Sequence, residues 1–335
     1  MKAALLFFAL FFFQNPVFSQ VYPDSDIDFT LRSGINYIIL QNYSEAERIF
    51  IKLDKSFPHL PLGKIYLAAV EIAKSYDYGE SYNELFIDSL LILAKDQSRR
   101  LEDKDNNNIW YKYFLSLSEG YLAYFRALNG NWLNSLSEGI NALSDFEDLT
   151  ALDRNFYDAF IAIGTFKYWK SRKTEFFSWV PGYDDEKEEG IALLEEAVNH
   201  ASYNTYLAIN SLIWIYIDQK KYIKALNLAN DVLKKYPGSR FFMWDLARAY
   251  EETDPEKAIG EYTGILNSFT GKTNHYNEIV LKHLIAQQYV RIGKKAEAIK
   301  ICEEILSITN LKEEVRARLE NRLKRVEELK MELSR

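Results

Sequence analysis

A five-point spacing that occurs twice constrains this chain more than any other feature. Between residues 27 and 58, Gly34, Tyr37, Ala46, Phe50 and Pro58 stand at successive offsets of 3, 9, 4 and 8. Between residues 206 and 237, Ile213, Tyr216, Ala225, Ala229 and Pro237 stand at the same offsets. A recurring unit of about thirty residues is too small to bury its own apolar face, so copies of it must stack. Offsets of three and four place residues on one face of a helix. Each unit therefore reads as a helical hairpin. Gly34 and Ala46 let two antiparallel helices approach, Tyr37 and Phe50 fill the space beside them, Asn42 takes the turn, and Pro58 ends the second helix.

Composition agrees. The chain holds 14 Gly and 7 Pro in 335 residues, about 6% where roughly 12% is ordinary. A β-sandwich or barrel needs turn signals every 8 to 12 residues or so, which excludes both. With 48% hydrophobic and 15% aromatic residues, the chain can build a large core or a long stack.

Two further copies follow. One carries Leu246, Ala247, Tyr250, Ala258 and Tyr262, with a turn at Thr253-Asp254-Pro255 that is one residue shorter. The other carries Ile285, Ala286, Tyr289, Gly293, Ala298 and Cys302, with Asn310 in the place of the proline. The spacing resembles the tetratricopeptide repeat, which runs Trp-x2-Leu-Gly-x2-Tyr, then Ala-x3-Phe, then Pro over 34 residues. Ile213 departs from it where the pattern has Gly, and the third copy lacks the proline. The resemblance implies an all-α helical-hairpin solenoid wound as a right-handed superhelix, with its clearest repeats at 27–60, 206–239, 240–272 and 279–312.

The stretch 61–205 reads as degenerate helical pairs. Apolar residues recur at helical spacing over 65–73, 85–93, 110–128, 132–143, 156–169 and 191–198, separated by turn signals such as Asp77-Tyr78-Gly79 and Asn129-Gly130-Asn131. Gly190, Leu194 and Ala197 look like the second helix of a repeat. About seven pairs fill residues 20–310. The tail, 311–335, places Leu311, Val315, Leu319, Leu323, Val326, Leu329 and Leu333 at spacings of three and four, which suits a capping helix with one face on the last repeat. The basic cluster from Arg318 to Arg325 is interleaved with Glu320 and flanked by Glu327 and Glu328, so it reads as a solvated face.

One segment breaks the rhythm. Residues 170–185 are too long and too aromatic for a repeat turn, and Phe176, Phe177, Trp179 and Tyr183 are candidate contacts there. Two readings stand: the aromatics plug the groove or cover a helix end, or they form a lid over a ligand. The stretch Asp158 to Trp169, with Trp179-Val-Pro181 and Asp185 to Gly190, is similar to a pattern in exported bacterial tetratricopeptide proteins. It is less closely similar to a eukaryotic tetratricopeptide family linked to clearance of mitochondrial outer-membrane inclusions.

Met1 and Lys2 precede an unbroken apolar run from Ala3 to Phe13. Eleven residues suit a signal-peptide core and are too few to span a bilayer, so residues 1–19 are expected to be a cleaved signal peptide and the protein exported to a periplasmic, outer-membrane or extracellular location. Removing Lys2 from 41 cations leaves 40 against 48 Asp+Glu, a net charge of −8. That balance disfavours nucleic acid as a partner, while peripheral membrane association and oligomeric state stay open. The single Cys302, between Ile301 and Ile305, reads as a buried small hydrophobe.

Catalytic signatures are missing. His59, His200, His275 and His283 share no metal-binding spacing, no Gly-x-Ser-x-Gly elbow occurs, and no cofactor is expected. Gly264 to Thr273 is similar to a phosphate-cradling loop, but its spacer is six residues where four are needed. Asp103, Asp105, Asn107 and Asn108 alternate as calcium ligands do, yet Phe114 stands where the bidentate Glu belongs. Asn42-Tyr43-Ser44 is a glycosylation sequon on a tight turn.

By the resemblance, the first helix of each pair lines the concave face. That face would present Asn210, Trp214 and Asp218, then Trp244, Arg248 and Glu251, then His283, Gln287 and Arg291. Trp and Arg dominate binding hot spots, so the set describes a groove for a peptide or protein partner. Trp214 and Trp244 equally fit an inter-repeat core. Leu31, Ile35 and Ile38 stand at the matching places of the first repeat, so the clamp that chaperone-binding members use for C-terminal carboxylates is missing. The expected function is a non-catalytic interaction scaffold; a carbohydrate or small-ligand binder using the loop at 176–183 is the alternative.

Overall fold

The computed structural model describes residues 20–130, 132–179, 184–269 and 275–335; the expected signal segment 1–19 lies outside them. Among the described residues the protein is all-α. Fifteen α-helices follow one another as hairpins: α1 (Ser25–Ile39) with α2 (Tyr43–Ser56), α3 (Leu62–Tyr78) with α4 (Glu84–Lys104), α5 (Ile109–Leu128) with α6 (Trp132–Leu152), and α7 (Tyr157–Thr174) with α8 (Lys187–His200). Then come α9 (Thr205–Asp218) with α10 (Tyr222–Lys235), α11 (Arg240–Tyr250) with α12 (Pro255–Ser268), α13 (His275–Arg291) with α14 (Lys295–Leu306), and the last helix α15 (Glu313–Leu333). Each helix packs on the next, and α3 on α5, α7 on α9, α9 on α11 and α13 on α15 make a second set of contacts, the pattern of a hairpin solenoid.

Backbone chemistry explains the turns. The amides of Asn42, Lys221 and Lys294 donate to the carbonyls of Tyr37, Tyr216 and Tyr289 at 2.9, 2.7 and 2.9 Å. This closure ends a helix through one left-handed residue, and it falls on Gln41, Lys220 and Gly293, with φ of 54°, 57° and 76°. The left-handed residue of the first turn is thus Gln41, one place before Asn42. The shorter turn closes one residue earlier, with the Asp254 amide on the Tyr250 carbonyl at 2.8 Å. No left-handed residue is needed there, because the Asp254 carboxylate accepts from the Lys257 amide at 3.1 Å and Pro255 opens α12.

Small residues set the helix spacing. Gly34 lies under the ring of Phe50. In the degenerate pair α7–α8, Gly164 and Gly190 each face the other's backbone carbonyl, so a Cβ on either would strike the opposite main chain. The segment expected as an insertion is shorter than its sequence suggested: α7 runs on through Thr174 and a 3-10 turn covers Glu175–Phe177.

The first helices fold against the second half of the chain, from the α8–α9 connection to α15. The Tyr203 hydroxyl donates to Asp28 at 2.6 Å and accepts from the Tyr22 amide at 2.7 Å. Arg32 reaches the Ser202 carbonyl at 2.9 Å. At the other end of α1, buried Ser239 donates to the Ile39 carbonyl at 2.8 Å and the Gln41 side chain accepts from the Arg240 amide at 2.9 Å. At the end of α3, Arg240 grips Asp77 through two nitrogens, one of them at 2.8 Å, and its guanidinium lies over the rings of Tyr78 and Phe269 at 5.7 and 4.8 Å. Asn277 donates to the Asp77 carbonyl at 2.7 Å and Arg318 to that of Gly79 at 2.8 Å. One apolar core accordingly runs from Ile27 and Tyr66 to Tyr203, Val232 and Phe242.

Candidate partner-binding lumen

Because α1–α3 close against α9–α15, the concave side of the stack becomes a lumen. Tyr76 on α3 and Tyr124 on α5 are 66% and 52% exposed, yet the protein around them desolvates both phenols and raises their pKa. Side chains that are solvent-accessible and surrounded at once stand in a concavity. Tyr76 is within electrostatic reach of Asp245 and Tyr276, Tyr124 of Tyr82, Tyr82 of Arg318, and Arg322 of Arg248 and Tyr276. The lumen is thus walled by α3, α5, α11, α13 and α15, and it is rich in tyrosine and arginine.

On the α9–α11 wall the residues expected to line the concave face come together. Asn210 donates its amide to both carboxylate oxygens of Asp245 at 3.0 Å, and the nearby Trp214 acts in the same direction on this carboxylate, against its burial. Asp245 is 1% exposed, and burial pushes it up to about 8, since no cation compensates its desolvation. Arg248 lies over the Trp214 ring at 5.8 Å and pairs with Glu251 at 2.7 Å.

Other expected groove residues serve the scaffold. Asp218 accepts from the Tyr168 hydroxyl at 2.7 Å and from Arg172 at 2.8 Å, tying α7 to α9. Glu251 is buried and accepts from Tyr262 at 2.7 Å. Trp244 packs edge-on to Tyr262 at 5.6 Å, so it belongs to the α11–α12 packing. His283 is 2% exposed; it is a buried ring facing Arg322 at 3.3 Å and not an open contact. Gln287 and Arg291 are exposed, and Arg291 bonds the Glu251 carbonyl and Glu252.

In the aromatic segment, Phe176 and Trp179 are 67% and 79% exposed, so Trp179 does not plug the groove. Tyr183 and the side chain of Phe177 lie outside the described residues. The segment is held by Glu186, which receives Lys167 and Lys170 at 2.7 Å each, and by Arg172 on Asp218, so it sits at the C-terminal edge of α7 and α9.

The residues that sequence reasoning passed over are Tyr76, Tyr124, Arg318 and Arg322. The first two lie in the degenerate stretch, where no repeat register says which face is concave. The arginines carried a signal: Arg318, Arg322 and Arg325 share one face of α15, and the structure turns Arg318 onto Tyr276 at 4.4 Å and Arg322 onto His283. The cluster read as a solvated face is in part a wall of the lumen.

The nearest approach to catalytic machinery is a carboxyl pair between α5 and α6. Burial and Glu119 raise Asp145 to about 6, but Glu119 is held by Lys95 and Arg99 at 3.0 Å each. Among the described residues there is no group of three metal-ligating side chains, and no helix is long and apolar enough to cross a membrane.

No family model matches the chain, and no curated protein matches it. Solved structures do. The Cut9–Hcn1 hetero-tetramer of the APC/C aligns over 91% of this chain and 51% of its own, at 13% identity and a TM-score of 0.53; the chain spans about half of that protein's length. TTC0263, a thermophilic TPR protein of Thermus thermophilus, aligns over 66% of this chain and 97% of its own, at 17% identity and a TM-score of 0.41. The C-terminal part of a TPR repeat-containing protein of Cytophaga hutchinsonii aligns over 85% and 97%, at 18% identity and a TM-score of 0.39. The turn register, the Gly34–Phe50 packing and the first of these likenesses agree on one architecture: the chain is a tetratricopeptide-like, all-α helical-hairpin solenoid.

Proposed function

We propose that the protein is a non-catalytic interaction scaffold whose lumen receives a peptide or an extended segment of a protein partner, in an exported assembly. The observation that carries the reading is the lumen wall. Arg248 lies over Trp214 and Arg318 over Tyr276, with Tyr76, Tyr82 and Tyr124 in reach of one another along the same wall, and large rings next to guanidinium groups are the side chains that dominate binding hot spots. Net charge −7 argues against a nucleic-acid backbone as the occupant, and the signal-like residues 1–19 motivate the exported location. The test is photocrosslinking in the native host from position 124, with exposed Leu152 as the comparison site. A partner captured from 124, lost in Trp214→Ala and absent from 152, supports the scaffold; equal capture from both positions sinks it.

Exposed Trp179 and Phe176 favour a second reading, in which these rings stack on a carbohydrate or small ligand at the edge of α7. Tryptophan fluorescence during glycan titration, in the parent and in Trp179→Ala, decides it; a flat response across glycans removes it.

A further inference from the structure

The capping helix carries a charge imbalance that the scaffold does not explain. Arg318 is occupied: it donates to the Gly79 carbonyl at 2.8 Å and lies over Tyr276. Arg322, one turn on, is half-buried, and among the described residues no carboxylate lies within ion-pair distance of it. Its one hydrogen-bond neighbour is the Nδ1 of His283, a ring that burial and the nearby Arg322 and Arg325 keep neutral. Arg325 and Arg248 add further positive charge around it. The acids nearest Arg248 on this wall are committed elsewhere, Glu251 to Arg248 and Tyr262 and Asp245 to Asn210. A guanidinium drawn partly out of water among other cations is unfavourable unless an anion completes the site.

We propose that Arg322 and Arg325, backed by Arg248 and by the His283 ring, form an anion-binding site at the α15 end of the lumen that takes a carboxylate or phosphate group of an acidic peptide. Arg suits both groups, since its fork donates two parallel hydrogen bonds to either. Tyr276 lies within electrostatic reach of Arg322, and the Trp214 ring lies against Arg248 at 5.8 Å, where the flanking residues of a peptide would pack. The proposal deepens the lumen reading and rests on it for the peptide, but the anion site is testable by itself.

The experiment uses the full chain and its Arg322→Gln and Arg325→Gln variants, with Lys324→Gln, on the exposed side of α15, as control. Thermal melts are recorded at low salt with inorganic phosphate and with acetate. Isothermal titration follows with an acidic peptide, its phosphorylated form, a neutral form and a single-stranded oligonucleotide. The expected results are that Arg322→Gln melts no lower than the parent when no anion is added, because a repulsive charge has gone, and that it loses the anion-induced rise. Acidic or phosphorylated peptide should bind at least tenfold more weakly to Arg322→Gln and Arg325→Gln than to Lys324→Gln; which of the two binds the parent better assigns carboxylate or phosphate. An unchanged anion response in Arg322→Gln overturns the site, as does a fall in its melting temperature with that response retained. Oligonucleotide binding without peptide binding overturns the peptide assignment. Peptides that bind equally to all variants overturn the anion site and leave the lumen reading standing. Phosphate binding that needs Arg322, with no peptide bound, supports the site and removes the lumen reading.

Discussion

The amide of Asn210 lies 3.0 Å from both oxygens of the Asp245 carboxylate, so a neutral amide on α9, and no cation, faces a buried acid on α11. The folded pKa of Asp245, about 8, stands above its ordinary 3.8. The folded state then holds a proton that the unfolded chain releases, and this contribution to stability is full below about pH 4 and lost as pH rises through about 8. Asp245→Asn should therefore gain on the parent as pH rises, by about 3 kcal/mol between pH 5.5 and 8.5. Urea denaturation at pH 5.5 and 8.5 checks it; a difference independent of pH refutes it.

His283 works in the opposite direction. Burial first, then Arg322 and Arg325, lower its pKa from 6.5 to about 4. The unfolded chain takes up this proton first, so the stability is present above about pH 6.5 and is lost as pH falls through about 4. Replacing His283 by Gln should flatten the acid limb by roughly 2–3 kcal/mol. An imidazole titration by NMR would show the shifted midpoint directly, and a midpoint near 6.5 would contradict it.

Arg240 and Asp77 are 13% and 9% exposed and join α11 to α3. Removing one partner strands a buried charge, so Asp77→Asn should cost about 3–5 kcal/mol, whereas a paired apolar replacement at both positions should cost less. Hydrogen exchange should rise in α3 and α11 together. Protection lost in α3 alone would mean that the two halves are not coupled here.

Two glycines separate packing from propensity. Gly164 meets the Gly190 carbonyl, so Gly164→Ala should destabilise by about 1–3 kcal/mol. Gly260 on α12 has open space around it, and Gly260→Ala should stabilise by about 0.5–1 kcal/mol. Equal shifts in melting temperature for the two would refute the close approach of α7 and α8.

Much of the fold was legible because repeat geometry is written in short-range residues. Gly34, Phe50, Ala225 and Cys302 sit where the spacing put them, all buried, and the α15 stripe of Leu319 and Val326 packs on Ile279 and Ile305. The concave wall was legible only in part. Asn210, Trp214 and Arg248 do meet, but Trp244, Glu251 and His283 turn into packing, since a helix face named by period alone has no information about what lies across from it. Tyr76, Tyr124 and the guanidinium of Arg322 depend on contacts between helices some 160 to 240 positions apart, such as Arg240 with Asp77 and Arg318 with Gly79. Nothing in a local pattern encodes those.

That closure has a mechanical consequence. Open repeat arrays behave as springs, in which each unit touches only its neighbours and the ends fray independently. Here Tyr203 latches the start of α1, Ser239 its end, and Asn277 and Arg318 the end of α3. The stack is therefore a hoop with a clasp, and pulling on either terminus loads the same few bonds. Its first and last helices should give way in one step rather than peel unit by unit, and cutting the chain after α12 would strip Asn277 and Arg318 from the end of α3 and leave Tyr203, Ser239 and Arg240 as the remaining hold on the first helices.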